Sequence, residues 1–160
     1  MKTIPVIALV SLMFAAIPAQ GSVITKLPVP AVALTFDACE TTTPSYFDHA
    51  ILNYLLREKL PFTLFVSGKF ALRNVEELKT LSHLDTVEIE NHSMHHILHM
   101  ERLPDDIVRV EVLDNARILE EITGRTPRYF RFPGGNCDDR TVGSVEALQY
   151  RVVHWSFASG

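Results

Sequence analysis

Four of the seven histidines of the chain fall between positions 92 and 99, so this stretch is where metal chemistry would be expected. His92 and His96 are four residues apart, and a single helical turn would point both imidazoles the same way. Two neutral imidazoles on one face supply half of a tetrahedral zinc site, or part of a larger divalent-metal shell. The alternative interpretation is a polar turn that happens to be rich in histidine.

Two other polar stretches could act together with these histidines: Thr35-Phe36-Asp37 upstream and Arg131-Phe132-Pro133-Gly134-Gly135 downstream. Asp37 beside a metal could take a proton from a bound water as general base. Arg131 could pair with Asp37 and hold its orientation, and Gly134 would let a backbone N–H approach an oxyanion. The combination predicts a metal-assisted amide or ester hydrolase. Taken singly, the same residues could be a strand-end cap, a structural ion pair and an ordinary turn.

Apolar runs alternate with amphipathic stretches along the chain, which predicts an α/β fold with parallel strands and right-handed crossovers. In such folds functional residues collect at the carboxyl ends of the strands, so the three polar stretches should share one rim. The predicted strands are 31–36, 62–66, 86–90, 129–132 and 150–157, and the predicted helices are one from Thr43–Pro44 to Pro61, then 75–81, 103–124 and 138–148.

The composition fits one globular domain, because the chain has 160 residues of which 47% are hydrophobic. Its net charge of −4 lacks the basic excess of a nucleic-acid groove, so we expect no nucleic-acid partner. Residues 1–21 have the pattern of a secretory signal peptide: Lys2, an apolar run over 4–16, and small residues at 19 and 21. That run is shorter than the ~20 residues of a membrane span. We therefore expect a secreted or periplasmic catalytic domain over 22–160, without a stable membrane span.

Export makes the two cysteines candidates for a disulfide, because an oxidising compartment permits one. Cys39 and Cys137 each lie a few residues past a predicted strand, in the two stretches expected to meet. The alternatives are two free thiols, or Cys39 as a soft metal ligand. Nothing in the sequence indicates an oligomeric state.

In their order and spacing, Thr35-Phe36-Asp37, His92-Ser93-x-x-His96 and Arg131-x-Pro133-x-Gly135 resemble the first three motifs of the polysaccharide deacetylase family of carbohydrate esterases. This family is also called the chitin-oligosaccharide deacetylase homology domain. The resemblance runs from about Val32 to Trp155 and implies a distorted, incomplete (β/α) barrel. It also implies a divalent metal, zinc or cobalt, and removal of acetyl groups from N-acetylated sugars of a polysaccharide such as peptidoglycan or chitin.

Residue by residue, the resemblance assigns Asp37 as the catalytic base, His92 and His96 as metal ligands, and Arg131 as the residue that tethers the base. Gly134 stands where the family usually has an aromatic residue whose backbone N–H helps to hold the oxyanion.

The chain departs from the family pattern at two places. Ala38 occupies the position of a second aspartate, the usual third metal ligand, which weakens the metal site. The general acid of the family is a histidine on a strand that would lie beyond Gly160, so we expect a C-terminally short domain, with His154 a weak substitute. These departures leave two alternatives: a metal-independent C–N amide hydrolase of the same superfamily, and a non-catalytic glycan-binding remnant. The groups that could replace the third ligand are Cys39, Glu40, His95, His99 or a water.

Overall fold

The computed structural model describes residues 22–158, and within them the chain forms one sheet of five parallel strands covered by five α-helices. The predicted signal peptide lies outside the described residues. The elements are β1 Leu34–Ala38, α1 His49–Arg57, β2 Phe62–Val66, α2 Gly68–Arg73, α3 Val75–Ser82, β3 Val87–Asn91, α4 Asp105–Thr123, β4 Tyr129–Phe130, α5 Asp139–Glu146 and β5 Arg151–Val152, with short 3₁₀ turns at Met100–Arg102 and Pro133–Gly135.

Each strand pairs in parallel with the next strand of the chain, in the order β1-β2-β3-β4-β5. Consecutive order is typical of a (β/α) barrel, whereas a doubly wound sheet reverses its order at a switch point. Among the described residues the sheet does not close, because β1 pairs only with β2. On the far side of β5, Ile24 forms a parallel bridge with Val153. The expected α/β fold with an incomplete parallel barrel is therefore confirmed.

The sheet curls strongly, and one contact between side chains shows it. In a flat sheet β1 and β4 would lie about 14 Å apart, because neighbouring strands are spaced by ~4.8 Å. Strand side chains stand roughly perpendicular to the sheet and would not reach across that gap. Arg131, directly after β4, nevertheless bonds Asp37 on β1 at 2.7 Å. Curling therefore brings the carboxyl end of β1 onto the same rim as the ends of β3 and β4.

The longest helix, α4, ends at Gly124, whose φ of 69° lies in the left-handed region that glycine adopts easily.

The apolar side chains of the outer face of the sheet pack against the helices in two clusters. The first cluster contains Leu52, Leu55, Phe62, Leu64, Val66, Phe70, Ala71, Leu78, Leu81, Val87 and Leu119. The second contains Met100, Val108, Val112, Ala116, Phe130, Phe132, Val142, Val145, Tyr150 and Val152.

Two predictions at the amino-terminal end of the sheet were wrong in detail. The first strand lies at Leu34–Ala38 rather than 31–36, so Asp37 is inside the strand and opposite Phe65. Helix α1 begins at His49 and not after Thr43, because the Asp48 carboxylate accepts hydrogen bonds from two amides of its first turn. Helix α2 was not predicted.

The last two strands are shorter than predicted. Strand β4 ends at Phe130, because the chain turns into the 3₁₀ segment at Pro133–Gly135. Because β4 has no residue beyond Phe130 to pair with, β5 also ends after two residues, at Val152. None of the helices formed by residues 22–158 combines the length and apolarity that crossing a membrane requires.

Candidate active site

Strand β3 carries His92 and His96 to the rim in a tight loop, and not in the helical turn that their spacing suggested. Ser93 and His96 have φ values of 64° and 53°, so the backbone is left-handed at two points where an α-helix would be right-handed. The segment is therefore not the helical turn that the spacing would allow. The loop still brings the two rings together, with centroids 5.0 Å apart and planes at 62°.

The tautomer of His92 follows from its one hydrogen bond. Its Nδ1 lies 2.8 Å from the carbonyl oxygen of Arg131, which can only accept, so Nδ1 carries the proton. Nε2 then has a free lone pair, and this atom is buried without a hydrogen-bond partner. It lies 3.7 Å from Oδ2 of Asp37. Burial lowers the pKa of His92 to about 4. The charge of Asp37 raises this pKa but does not offset the burial, so the ring is neutral at neutral pH.

His96 presents a second imidazole nitrogen without a partner. Its Nδ1 is buried and makes no hydrogen bond within the described part of the chain. Partial burial lowers the pKa of His96, and the nearby charge of Asp37 opposes this shift. Two neutral imidazoles with free nitrogen atoms therefore lie next to a carboxylate, which suits a cation better than a packed core.

Asp37 is held by a guanidinium that also contacts β2 and the residue after β5. Nη1 of Arg131 donates to Oδ1 of Asp37 at 2.7 Å, and Nη2 donates to the hydroxyl of Thr35 at 2.9 Å. Nε donates to the carbonyl of Val153 at 3.4 Å, and the guanidinium stacks 3.9 Å from the centroid of the Phe65 ring. The side chain of Arg131 is 3% exposed and that of Asp37 is 30% exposed. One oxygen of the carboxylate is therefore fixed, and the other faces His92.

The structure places Gly134 in the turn that follows Arg131. Its φ of 62° lies in the left-handed region, and it lies beside Leu98 and Asn136. Within residues 22–158 no hydrogen bond joins Gly134 to Asp37 or to either histidine. The direct contacts of the site thus connect the aspartate, the arginine and the two histidines, while Gly134 follows them in sequence.

A third protein ligand does not accompany the two histidines. Residues 22–158 contain no group of three or more His, Cys, Asp or Glu side chains arranged to hold a metal ion. Ala38 brings no ligand atom. The two imidazole nitrogens are of the type that binds divalent ions, and the described residues place these two histidines together without a third ligand side chain.

None of the predicted substitutes completes a three-ligand group within the described residues. The Glu40 carboxylate is paired with the guanidinium of Arg73, which lowers the pKa of Glu40 to about 2. Nδ1 of His95 and Nδ1 of His99 donate to glutamates at 2.7 and 2.9 Å, which leaves Nε2 of each ring free, but within residues 22–158 neither ring joins the histidine pair in a group of three ligand side chains. Cys39 remains, but burial and the charge of Asp37 raise its pKa and disfavour the thiolate that binds metal.

The predicted disulfide is absent: Cys39 and Cys137, both within the described residues, are free thiols. Sγ of Cys137 lies 3.6 Å from Nε2 of His154, a side chain whose pKa is lowered by burial and by Arg131. His154 also lies beside the turn, since a Cβ on Gly135 would be 3.3 Å from its Cε1 atom.

Sequence analysis missed the polar residues on helix α4 that support the histidine loop. Glu111 and Asn115 are 4% and 0% exposed and lie on the same helix face as Val108, Val112 and Leu119. Their signal in the sequence was the placement of two polar residues within an apolar stripe at helical spacing.

Comparisons with known proteins identify the family of this chain. The family model of polysaccharide deacetylases matches residues 25–153. Chitin deacetylase 1 of Cryptococcus neoformans var. grubii is 26% identical over 113 residues, which make up 71% of this chain and 24% of that protein. The chain thus spans about a quarter of the length of this curated relative.

Solved structures of carbohydrate esterase family 4 share the fold. An esterase of this family from Bacillus anthracis has 27% identity and a TM-score of 0.71, over 86% of this chain and 64% of that one. A pseudoenzyme of the same family from Bacillus anthracis has 24% identity and a TM-score of 0.66, over 78% and 42%, a likeness of fold. The family model covers most of the chain and includes all three motifs at the rim. The chain belongs to the polysaccharide deacetylase family.

Proposed function

We propose that the chain is the catalytic domain of an exported, metal-assisted hydrolase that removes acetyl groups from N-acetylated sugars of a polysaccharide. The substrate class is chitin-like or peptidoglycan glycan, in line with the family and its chitin-deacetylating relative. One observation carries the proposal: Nε2 of His92 is buried, unprotonated and unpartnered, and it faces the carboxylate of Asp37 at 3.7 Å. Two acceptors that face each other need a cation or a proton donor between them.

His92 and His96 would hold the metal, zinc or cobalt. A bound divalent ion would polarise the acetyl carbonyl and acidify a water molecule. Asp37 takes the proton of the attacking water, and Arg131 keeps the carboxylate in place during that transfer. The N–H of Gly134 would donate to the developing oxyanion. As the C–N bond breaks, protonated Asp37 returns its proton to the amine nitrogen, which leaves acetate and a free amino sugar.

Acetate release from N-acetylglucosamine oligomers and from peptidoglycan tests the proposal. We expect turnover that is lost with a chelator and restored by zinc or cobalt. Asp37→Asn should lower kcat by about 10²–10⁴, the usual contribution of a general base. Asp85→Asn, in the exposed turn before β3, is the matched control and should retain activity. Absence of acetate from every acetylated glycan, in a folded and metal-loaded sample, would contradict the proposal.

Metal binding is tested separately by calorimetric titration with zinc and cobalt. One ion should bind per chain, and His92→Ala should abolish binding. His83→Ala, an exposed histidine at the end of α3, should leave it unchanged. Equal binding by the wild type and the His92→Ala variant would remove the histidines from the site.

The alanine at position 38 favours a second candidate function, in which the site works without metal or only binds glycan. The described residues offer two histidine ligands and no third side chain. Amide hydrolysis that survives chelation would indicate the metal-independent C–N hydrolase. Glycan binding that is unaffected by Asp37→Asn, with no turnover, would indicate the non-catalytic alternative.

Export is the remaining part of the proposal and depends on the pattern of residues 1–21. We expect the exported protein to begin near Ser22. Mass spectrometry of the exported protein tests this, and an intact Met1 would contradict it.

A further inference from the structure

The loop that carries His92 and His96 is held by helix α4, although no residue of that helix belongs to the three motifs. Met94 and His95, the residues midway between the two histidines, both donate their backbone amides to Glu111. Glu111 is buried on the face of α4 that is otherwise apolar. A buried carboxylate there requires partners, and the histidine loop supplies them.

Every backbone amide of the loop from Ser93 to His96 has a defined acceptor, and two of the four acceptors belong to Glu111. All four backbone N–H groups of the loop are therefore paired. The donors and acceptors, in order, are Ser93 N to Asn91 Oδ1 (3.0 Å), Met94 N to Glu111 O (2.9 Å), His95 N to Glu111 Oε2 (2.8 Å) and His96 N to Ser93 Oγ (3.1 Å).

This support is needed because the loop is strained. Ser93 and His96 both have positive φ, a backbone conformation that residues other than glycine rarely adopt. Such residues persist when the surrounding structure fixes them, and they collect at functional sites. Without its acceptors the segment would relax towards ordinary backbone angles, and the two imidazoles would separate.

The carboxylate of Glu111 holds His95 by two atoms at once. Oε2 accepts the amide of His95, and Oε1 accepts Nδ1–H of its ring at 2.7 Å. The ring is about half exposed, and the carboxylate is almost fully buried. The backbone amide and Nδ1 of His95 are thus both bonded to one carboxylate of α4, which links the loop to the helix.

We propose that Glu111 is a positioning residue for the two metal-ligating histidines. By fixing the backbone at Met94 and His95 it sets the separation of the imidazoles of His92 and His96. The consequence for metal affinity rests on the function proposed above, but the consequence for the loop does not. Glutamine at position 111 keeps one side-chain oxygen that can accept the His95 amide, whereas alanine keeps none. Aspartate is one methylene shorter, so its carboxylate lies farther from that amide.

The test compares the wild type with Glu111→Gln, Glu111→Ala and Glu111→Asp in two measurements. Backbone amide exchange by NMR, in the presence of chelator, reports the loop itself. Cobalt affinity, read from the visible spectrum of the bound ion, reports the site. Glu121→Ala is the matched control, because Glu121 is an exposed glutamate on the same helix.

We expect Glu111→Ala and Glu111→Asp to speed exchange of the His95 amide at least a hundredfold and to weaken cobalt binding at least tenfold. Glu111→Gln should stay within about threefold of the wild type in affinity, and Glu121→Ala should match the wild type. If the wild type binds no cobalt, the proposed function fails, while the exchange of the His95 amide still decides the role of Glu111. Wild-type exchange in a folded Glu111→Ala variant overturns the inference. If Glu111→Ala does not fold, the Glu111→Asp variant decides. If neither variant folds, Glu111 has a purely structural role, and the inference is overturned as well.

Discussion

The pair formed by Arg131 and Asp37 permits a quantitative test of how the site is held. The perturbation is a double-mutant cycle with Asp37→Asn, Arg131→Met and the double variant. Methionine fills much of the volume of arginine without its charge, and asparagine keeps the shape of aspartate. The cycle isolates the coupling between the two side chains from what each loses separately.

The expected coupling follows from the exposure of the two groups. Removing one partner of a fully buried ion pair costs about 3–5 kcal/mol, while exposed pairs contribute about 0–1 kcal/mol. The side chain of Arg131 is 3% exposed and that of Asp37 is 30% exposed, so the pair lies between these limits. We therefore expect about 2–3 kcal/mol of coupling free energy. Because a buried pair is screened weakly, most of it should persist in 0.5 M salt, an ionic strength at which the Debye length is only about 4 Å.

Urea unfolding of the four proteins in the presence of chelator measures the coupling. Trp155 is the only tryptophan, and its ring centroid lies 5.7 Å from the guanidinium carbon of Arg131, so its fluorescence reports this part of the fold. Equal slopes against urea are required for the comparison. A coupling below 1 kcal/mol, or one that disappears in 0.5 M salt, would refute the argument that Arg131 holds Asp37 in a buried pair.

Three further outcomes are expected. Arg73 lowers the pKa of Glu40 to about 2, so this pair stabilises the fold above the unfolded pKa of ~4.5, and the contribution is lost as pH falls towards 2. In Glu40→Gln the melting temperature should therefore depend less on pH between about pH 5 and 2 than in the wild type. Asn115→Ala removes a buried amide that donates to Asn91 at 2.8 Å, and urea unfolding should show a loss of about 2–3 kcal/mol. Gly124→Ala forces alanine into a φ of 69° with free space around it, so the free energy of unfolding should fall by about 1 kcal/mol and the melting temperature with it. An unchanged melting temperature would contradict the strain argument.

Local sequence patterns determined the elements and the chemistry of the rim. The run from Phe62 to Val66 is a strand as predicted, because a short apolar and β-branched segment is stable only when both faces are buried. Helix α4 begins with acids and stops at Gly124, since its termini are set by neighbours in sequence. The histidine pair and Asp37 were recognisable because their types and order match one family.

Tertiary structure decided what depends on residues distant in sequence. The loop of His92 and His96 is not helical, because Glu111, 16 positions beyond His95, accepts two of its amides. Asp48 and not Thr43 begins α1, and the last strand is short because its neighbour turns away at Pro133. Sequence alone placed Asp37 and Arg131 on one rim, but only the curl of the sheet brings atoms 94 residues apart to 2.7 Å. The physical reason is that spacing along a chain fixes local geometry, whereas burial, tautomer and pairing depend on which distant groups the fold packs against them.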